Sequence, residues 1–357
     1  GKITHFNYTS MQTKLSVPKP ILLMAVFVLV FTRADPAQPE MKQTDQSQPN
    51  IVFILADDFG YGDLSSYGAT LVQTPNIDRL ASEGIRFTDA YVPSSICSPT
   101  RYNFLTGRYA WRSWMGTGGI NPSTDPLVIE PGRETVASLL KRAGYRTACI
   151  GKWHLGFGAR DGSTPAWQPG KGVDFNTALK PGPLELGFDT FFGVPVVHQN
   201  PHVIIKDHHV LGLKESGGTI VIQHEDPIPE DPIAARRKGG TRNTNYEYEI
   251  PDGVGYEHEQ LSDRLTDEAV GWIERQDGEN PFFLYFAHRN VHSPLIPHPR
   301  FQGTSRIGEY GDFIHELDAS VGRILEALDA QGFSKNTLVI FSSDNGGWVF
   351  NKPYKPY

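Results

Sequence analysis

The residues best suited to chemistry are Cys97-Ser98-Pro99-Thr100-Arg101, followed by Leu105-Thr106-Gly107-Arg108. Ser98 has the side chain of a helix N-cap and Pro99 suits the first helical position, so a short helix is expected to begin here. Cys97 would then stand just outside a helix N-terminus, where unpaired amides and the macrodipole favour negative charge. Arg101, one turn in, reaches back toward the same point. The residues alone allow two readings: a reactive sulfur in an anion-handling position, or a buried cysteine beside a helix cap.

Four apolar runs must position the remaining polar residues. Residues 51–56 (Ile-Val-Phe-Ile-Leu-Ala) end in Asp57-Asp58-Phe59-Gly60, and residues 145–150 run into Gly151-Lys152-Trp153-His154. Residues 282–287 lead to His288 and His292, and residues 338–341 lead to Ser342-Ser343-Asp344-Asn345-Gly346-Gly347. Continuous apolar runs of this kind read as strands covered on both faces.

Helices are expected between them. One opens at Thr74-Pro75 with Ile77, Leu80, Ala81 and Ile85 on one side, and another spans 134–143. A third carries Leu261, Leu265, Ala269, Trp272 and Ile273, and a long one covers 309–330. Strands alternating with helices predict an α/β fold with a mostly parallel, doubly wound sheet. Residues 160–187, dense in Gly and Pro, read as loop, and 203–205 and 219–222 as short strands.

Ligands of such sheets bind at the carboxyl ends of the strands. Any one of the four endings could be a turn, since Asp-Asn-Gly is a common turn former. Together they point to one shared site. Asp57, Asp58, Asp344 and Asn345 form an all-oxygen set, which selects calcium or, second, magnesium, and clustered carboxylates repel one another without such a charge. A zinc pair on His154, His288 and His292 is the competing assignment.

Cys-Ser-Pro-Thr-Arg with Thr-Gly-Arg behind it, and Gly-Lys-Trp-His at 151–154, resemble the signatures of type I sulfatases, over about residues 49–348. The resemblance implies an alkaline phosphatase-like fold, a mostly parallel mixed sheet sandwiched between helices. It implies that Cys97 is oxidised to formylglycine by a maturation enzyme, and that Asp57, Asp58, Asp344, Asn345 and the modified residue 97 bind calcium. The implied activity is hydrolysis of a sulfate ester on a small molecule or a carbohydrate. Arg101 and Lys152 would hold the sulfate, and one hydroxyl of the hydrated aldehyde would attack sulfur to give a covalent sulfo-enzyme. His292 would help the alcohol leave, and His154 would take the proton of the second hydroxyl. A phosphonate or phosphate ester hydrolase of the same superfamily is the alternative, and a truncated, catalytically silent sulfate-ester binder is another.

The sequence also departs from that pattern. The run 348–357 does not match the lysine-bearing segment the family usually has after Asp-Asn-Gly-Gly, so neither Lys352 nor Lys355 takes its role. The family's smaller carboxyl-terminal domain is expected to be missing, making 50–357 a shortened catalytic domain. Some arylsulfatases place a Ser and a His around the sulfate; His198 fits the latter, and Val197 stands where the Ser would be. His202, His208 and His209 read as loop surface, with the substrate mouth as the other possibility.

The chain has 357 residues, 39% hydrophobic and 20% charged, an ordinary globular balance. Its net charge of −7 gives no support for nucleic-acid binding. Residues 21–31 are an unbroken apolar run, too short to span a bilayer, with Lys14 and Lys19 before it and Thr32-Arg33-Ala34 after it. Residues 11–34 are therefore expected to be a secretory signal peptide, not a membrane anchor, with 1–10 upstream sequence and 35–49 a disordered lead-in. The predicted location is periplasmic or secreted. The lone Asn-x-Thr acceptor at Asn7 precedes Met11, which favours a bacterial export over a lysosomal glycoprotein. Cys97 and Cys149 are expected to remain unpaired, although export would permit a bridge. Arg236-Arg237-Lys238 reads as a solvated turn.

Overall fold

In a computed structural model, residues 48–116, 121–223, 228–231 and 246–347 are described, all within the unit Ser47–Tyr357. The expected leader, nearly all of the lead-in, Arg236-Arg237-Lys238 and the run 348–357 lie outside the described residues.

The strands are β1 (Asn50–Ala56), β2 (Arg146–Lys152), β3 (Trp167–Gln168), β4 (Gly172–Val173), β5 (Thr190–Val194), β6 (Ile205–Lys206), β7 (His209–Val210), β8 (Val221–Gln223), β9 (Glu247–Glu249), β10 (Phe282–Ala287) and β11 (Thr337–Ser343). The helices are α1 (Pro75–Glu83), α2 (Cys97–Thr106), α3 (Val136–Arg142), α4 (Leu213–Ser216), α5 (His258–Glu274) and α6 (Glu309–Ala330).

The central sheet has the order β11-β1-β10-β2-β5-β6-β7. From β11 to β5 every pairing is parallel; β5-β6 and β6-β7 are antiparallel. The sheet is thus mixed and mostly parallel, as expected. Side chains alternate across it. Val52, Ile54 and Ala56 of β1 and Phe282, Leu284 and Phe286 of β10 pack on the face covered by α1, α5 and α6. Leu55, Phe283, Tyr285 and Cys149 join the opposite core with Tyr102 and Leu105 of α2 and Ala137 of α3. Burial on both faces explains why these strands read as unbroken apolar runs.

Three local expectations are corrected and one strand is added. Helix α2 starts at Cys97, with Ile96 as its N-cap. Ser98 is no cap because its hydroxyl accepts the backbone amide of Asn121. Ile85 lies beyond the end of α1 at Glu83 and is exposed. The stretch 160–187 holds the small β3-β4 hairpin, and Thr190–Val194, which carried no prediction, is a full sheet strand.

Candidate active site

Four parallel strands end side by side, and the residues after each one converge. Beyond β1, Asp57 donates its amide to Asn290 O at 2.9 Å and accepts from Val291 N at 2.6 Å. Asp344, just past β11, donates its amide to Ala56 O at 3.0 Å. Asp57 and Asp58 follow β1, Lys152 ends β2, His292 follows β10, and Asp344 and Asn345 follow β11. Cys97 and Arg101 come from the first turns of α2. Asp57, Asp58, Cys97, Arg101, Lys152, His154, His292, Asp344 and Asn345 are all buried.

The backbone is bent to make this possible. Asp58 (φ 56°) and His154 (φ 57°) are left-handed non-glycine residues, a conformation of higher energy that concentrates at functional sites. Gly151 has φ +117°, and an added Cβ would sit 1.9 Å from Ala287 O. Only glycine lets the end of β2 close onto β10 here.

Cys97 Sγ lies 3.6 Å from Lys152 Nζ and 3.8 Å from Asp58 Oδ1. Lys152 Nζ also donates to Asp57 Oδ2 at 2.5 Å. Arg101 donates to Asp344 Oδ2 from Nε (3.1 Å) and Nη2 (2.8 Å), and to the Lys152 carbonyl from Nη1 (2.7 Å). Its Nη2 is 3.4 Å from Asp57 Oδ1. Asn345 Nδ2 donates to Asp58 Oδ1 at 2.6 Å, and Asp344 Oδ1 accepts the Asp58 amide at 3.2 Å. The ion pairs of Lys152 with Asp57 and of Arg101 with Asp344 are fully buried, so loss of one partner would strand the other charge at a cost of about 3–5 kcal/mol.

The electrostatics follow from that crowding. Burial and the neighbouring Asp57 push the Asp344 carboxyl up to about 8, against Arg101 and Lys152. Burial also works to raise Asp57, yet Lys152, His292 and Arg101 together hold it well below the usual carboxylate range. Burial and Asp57 push the Cys97 thiol well up, so the unmodified sulfur is a poor nucleophile beside these carboxylates. Burial and then Lys152 push His154 and His292 down.

Of the histidines, His292 comes nearest the carboxylates, with Nε2 3.5 Å from Asp58 Oδ2. Its Nδ1 lies 2.7 Å from the Ser293 carbonyl, an acceptor, so Nδ1 carries a proton and Nε2 gains one only in the imidazolium. The His198 ring stacks on His292 with centroids 4.5 Å apart, and His154 meets His198 edge-on at 5.8 Å. Burial and Lys152 push His198 down to about 2. Both ring nitrogens of His154 are buried without a hydrogen-bond partner among the described residues.

Ligand-capable atoms of Asp57, Asp58, Cys97 and His292 lie within 4.8 Å of one another. Among the described residues Asn345 Oδ1 is buried with no hydrogen-bond partner, and Asp57 Oδ1 has no hydrogen bond beyond its 3.4 Å ion pair with Arg101. An unpaired amide oxygen and crowded carboxylates fit a hard cation. The zinc assignment does not fit. His288 is turned away, its Nδ1 accepting the Asn290 amide at 3.0 Å and its Nε2 3.2 Å from Ser320 Oγ. His208 pairs with Glu185 at 2.9 Å, and His202 packs against Tyr256 and His258. Both cysteines are free.

The sequence reading missed a buried polar layer under the site: Ser262, Asn290, Glu316 and Ser320. Ser262 and Ser320 lie on helix faces otherwise read as core, and Asn290 falls between the two histidines His288 and His292 that drew the sequence reading.

A mostly parallel sheet whose carboxyl edge gathers a thiol, three carboxylates, two fixed cations and a histidine defines an α/β protein with a buried site suited to an anionic ligand. Sequence and structure comparisons place it more narrowly. The sulfatase family matches residues 49–357, and the chain belongs to that family. It is 38% identical over 318 residues to an N-acetylgalactosamine-6-O-sulfatase of Bacteroides thetaiotaomicron, covering 85% of this chain and 60% of the relative. It is 33% identical over 311 residues to human N-acetylgalactosamine-6-sulfatase, covering 85% and 51%. A solved structure described under metabolism of multiple glycosaminoglycans by Bacteroides thetaiotaomicron superposes with a TM-score of 0.74 at 37% identity, covering 85% of this chain and 64% of that one. The chain thus spans between half and two thirds of the length of these relatives.

Proposed function

We propose that this chain hydrolyses sulfate esters, with residue 97 as the nucleophilic position. The observation that carries this reading is the single buried cluster of Cys97, Lys152, Arg101 and three carboxylates at the sheet edge. A formylglycine made from Cys97 by a maturation enzyme would supply a hydrated aldehyde with a second hydroxyl, which a plain thiol lacks. Asp57, Asp58, Asp344, Asn345 and residue 97 would hold calcium, which would supply positive charge against the sulfate oxygens.

The chain's own residues do the rest. Lys152 lies within reach of both Asp57 and residue 97, so it keeps a cation beside the attacking position. Arg101, tied by Asp344 and the Lys152 carbonyl, holds its guanidinium fixed without further reorganisation. His292 would deliver a proton from Nε2 to the departing ester oxygen as the imidazolium, a form that burial and Lys152 oppose and that Asp57 and Asp58 favour. His154, neutral and unpartnered, is available to accept a proton when the enzyme resets. His198 stacks on His292 and borders the substrate.

Sulfated carbohydrate is the favoured substrate class, because relatives are named for N-acetylgalactosamine-6-sulfate chemistry. Export to the periplasm or outside the cell fits the apolar run 21–31. Among the described residues no helix is long and apolar enough to cross a membrane. Steady-state rates on matched aryl sulfate and aryl phosphate esters test the reading. Turnover preferring the sulfate supports it; preference for phosphate or phosphonate replaces it with the alternative hydrolase, and binding without turnover leaves only a sulfate-ester binder.

A further inference from the structure

The loop after β10 carries a residue that touches no reacting group yet holds two elements of the site together. Asn290 is fully buried. Its carbonyl accepts the Asp57 amide at 2.9 Å, and the next amide, Val291 N, donates to Asp57 O at 2.6 Å. The backbone of residues 290–291 therefore grips Asp57 from both sides beyond the ends of β1 and β10.

The Asn290 side chain faces away from the pocket and is fully bonded. Its Oδ1 accepts from Ser262 Oγ of α5 at 2.8 Å. Its Nδ2 donates to Phe313 O at 2.9 Å and Glu316 Oε2 at 3.0 Å, both on α6. An amide is the one neutral side chain of this size offering two donors and an acceptor in that arrangement. Ser320, one turn further along α6, meets the neighbouring His288. His292 follows two residues after Asn290.

We infer that Asn290 is a positioning residue: bonded to α5 and α6, it fixes the Asp57 carboxylate and His292 in one register. This rests on the reading that Asp57 and His292 serve cation and ester. A ligand-holding residue is tuned by what orients it, and loss of such an outer contact commonly costs about 10–100-fold in metal affinity or activity. Asn290→Asp keeps the shape and removes both donors, setting a carboxylate against Glu316. Adding Glu316→Gln restores one donor across the same pair with the roles exchanged.

The test uses the full chain as wild type, Asn290→Asp, and Asn290→Asp with Glu316→Gln. Calcium affinity is measured by titration calorimetry, thermal unfolding gives the melting temperature, and hydrogen exchange reports the amides of Asp57 and Val291. The single variant is expected to weaken calcium binding roughly tenfold or more and to speed exchange at those two amides. The double variant should recover most of both while moving the melting temperature little. A single variant with a lower melting temperature but unchanged calcium affinity and unchanged exchange at Asp57 and Val291 would overturn the inference, reducing Asn290 to packing. Failure of the wild type to bind calcium at all would sink the cation reading instead, and the exchange data would still judge Asn290.

Discussion

Two buried cysteines separate what burial does from what partners do. Cys149 lies in β2 with its side chain in the core beside α2 and α3, among Leu55, Phe283 and Tyr285. Cys97 heads α2 within 4 Å of Lys152 and Asp58. Burial pushes both thiols up, so protonation does not distinguish them. Their neighbours do: one sulfur fills space, and the other stands where two strand ends and a helix bring opposite charges together. Chemistry in this fold is confined to the sheet's carboxyl edge, and a residue's place on a strand decides whether it takes part.

The strongest way to break the contrast is to remove each sulfur in turn. Cys97→Ala should lower turnover roughly a thousandfold or more, as removal of a nucleophile does, while calcium binding measured calorimetrically persists. Undiminished activity would place the nucleophile elsewhere. Lys152→Met comes next. It leaves Asp57 buried beside an uncharged chain, so stability should fall by about 3–5 kcal/mol, read from denaturant unfolding, with turnover of the folded fraction falling about 100-fold. An unfolding midpoint equal to that of the wild type would show that the pair at 2.5 Å contributes nothing.

The third prediction concerns protons. Burial and the neighbouring Asp57 hold Asp344 up to about 8, above its ordinary 3.8. Between those values the native state holds a proton that the unfolded chain has lost, so this group's contribution to stability is full at low pH and declines as pH rises toward 8. A bound cation removes the reason for that proton. Calcium binding at pH 7 should therefore release close to one proton, and its affinity should rise with pH up to about 8, as calorimetry in buffers of different ionisation heat would show. Uptake of a proton instead would contradict the crowded-carboxylate account. The smallest effect belongs to Cys149→Ala: turnover within about twofold of wild type and a stability loss of about 1–2 kcal/mol.

Much of this was legible in the sequence, and for a stated reason. β10 and α6 are found at their predicted limits, because a run buried on both faces and a long amphipathic period leave little ambiguity. Asp57-Asp58 could be placed because it directly follows such a run, and Asp344-Asn345 because it comes two serines after the apolar run of β11, an edge strand that is only partly buried. The start of α2 was misread because the partner of Ser98 is the amide of Asn121, far along the chain. β5 went unseen because it is short and contains Gly193, whose missing side chain admits the Gly151 carbonyl, 1.9 Å from where a Cβ would stand. The layer of Asn290, Glu316 and Ser262 joins a loop to two helices through bonds that local periodicity does not encode.

The account turns on what residue 97 becomes, and mass spectrometry of the tryptic peptide 87–101 reads that directly. Protein produced alongside a formylglycine-generating enzyme should yield a peptide that has lost the thiol and gained an aldehyde reactive toward hydrazines. An active preparation whose peptide carries only an intact cysteine would contradict it.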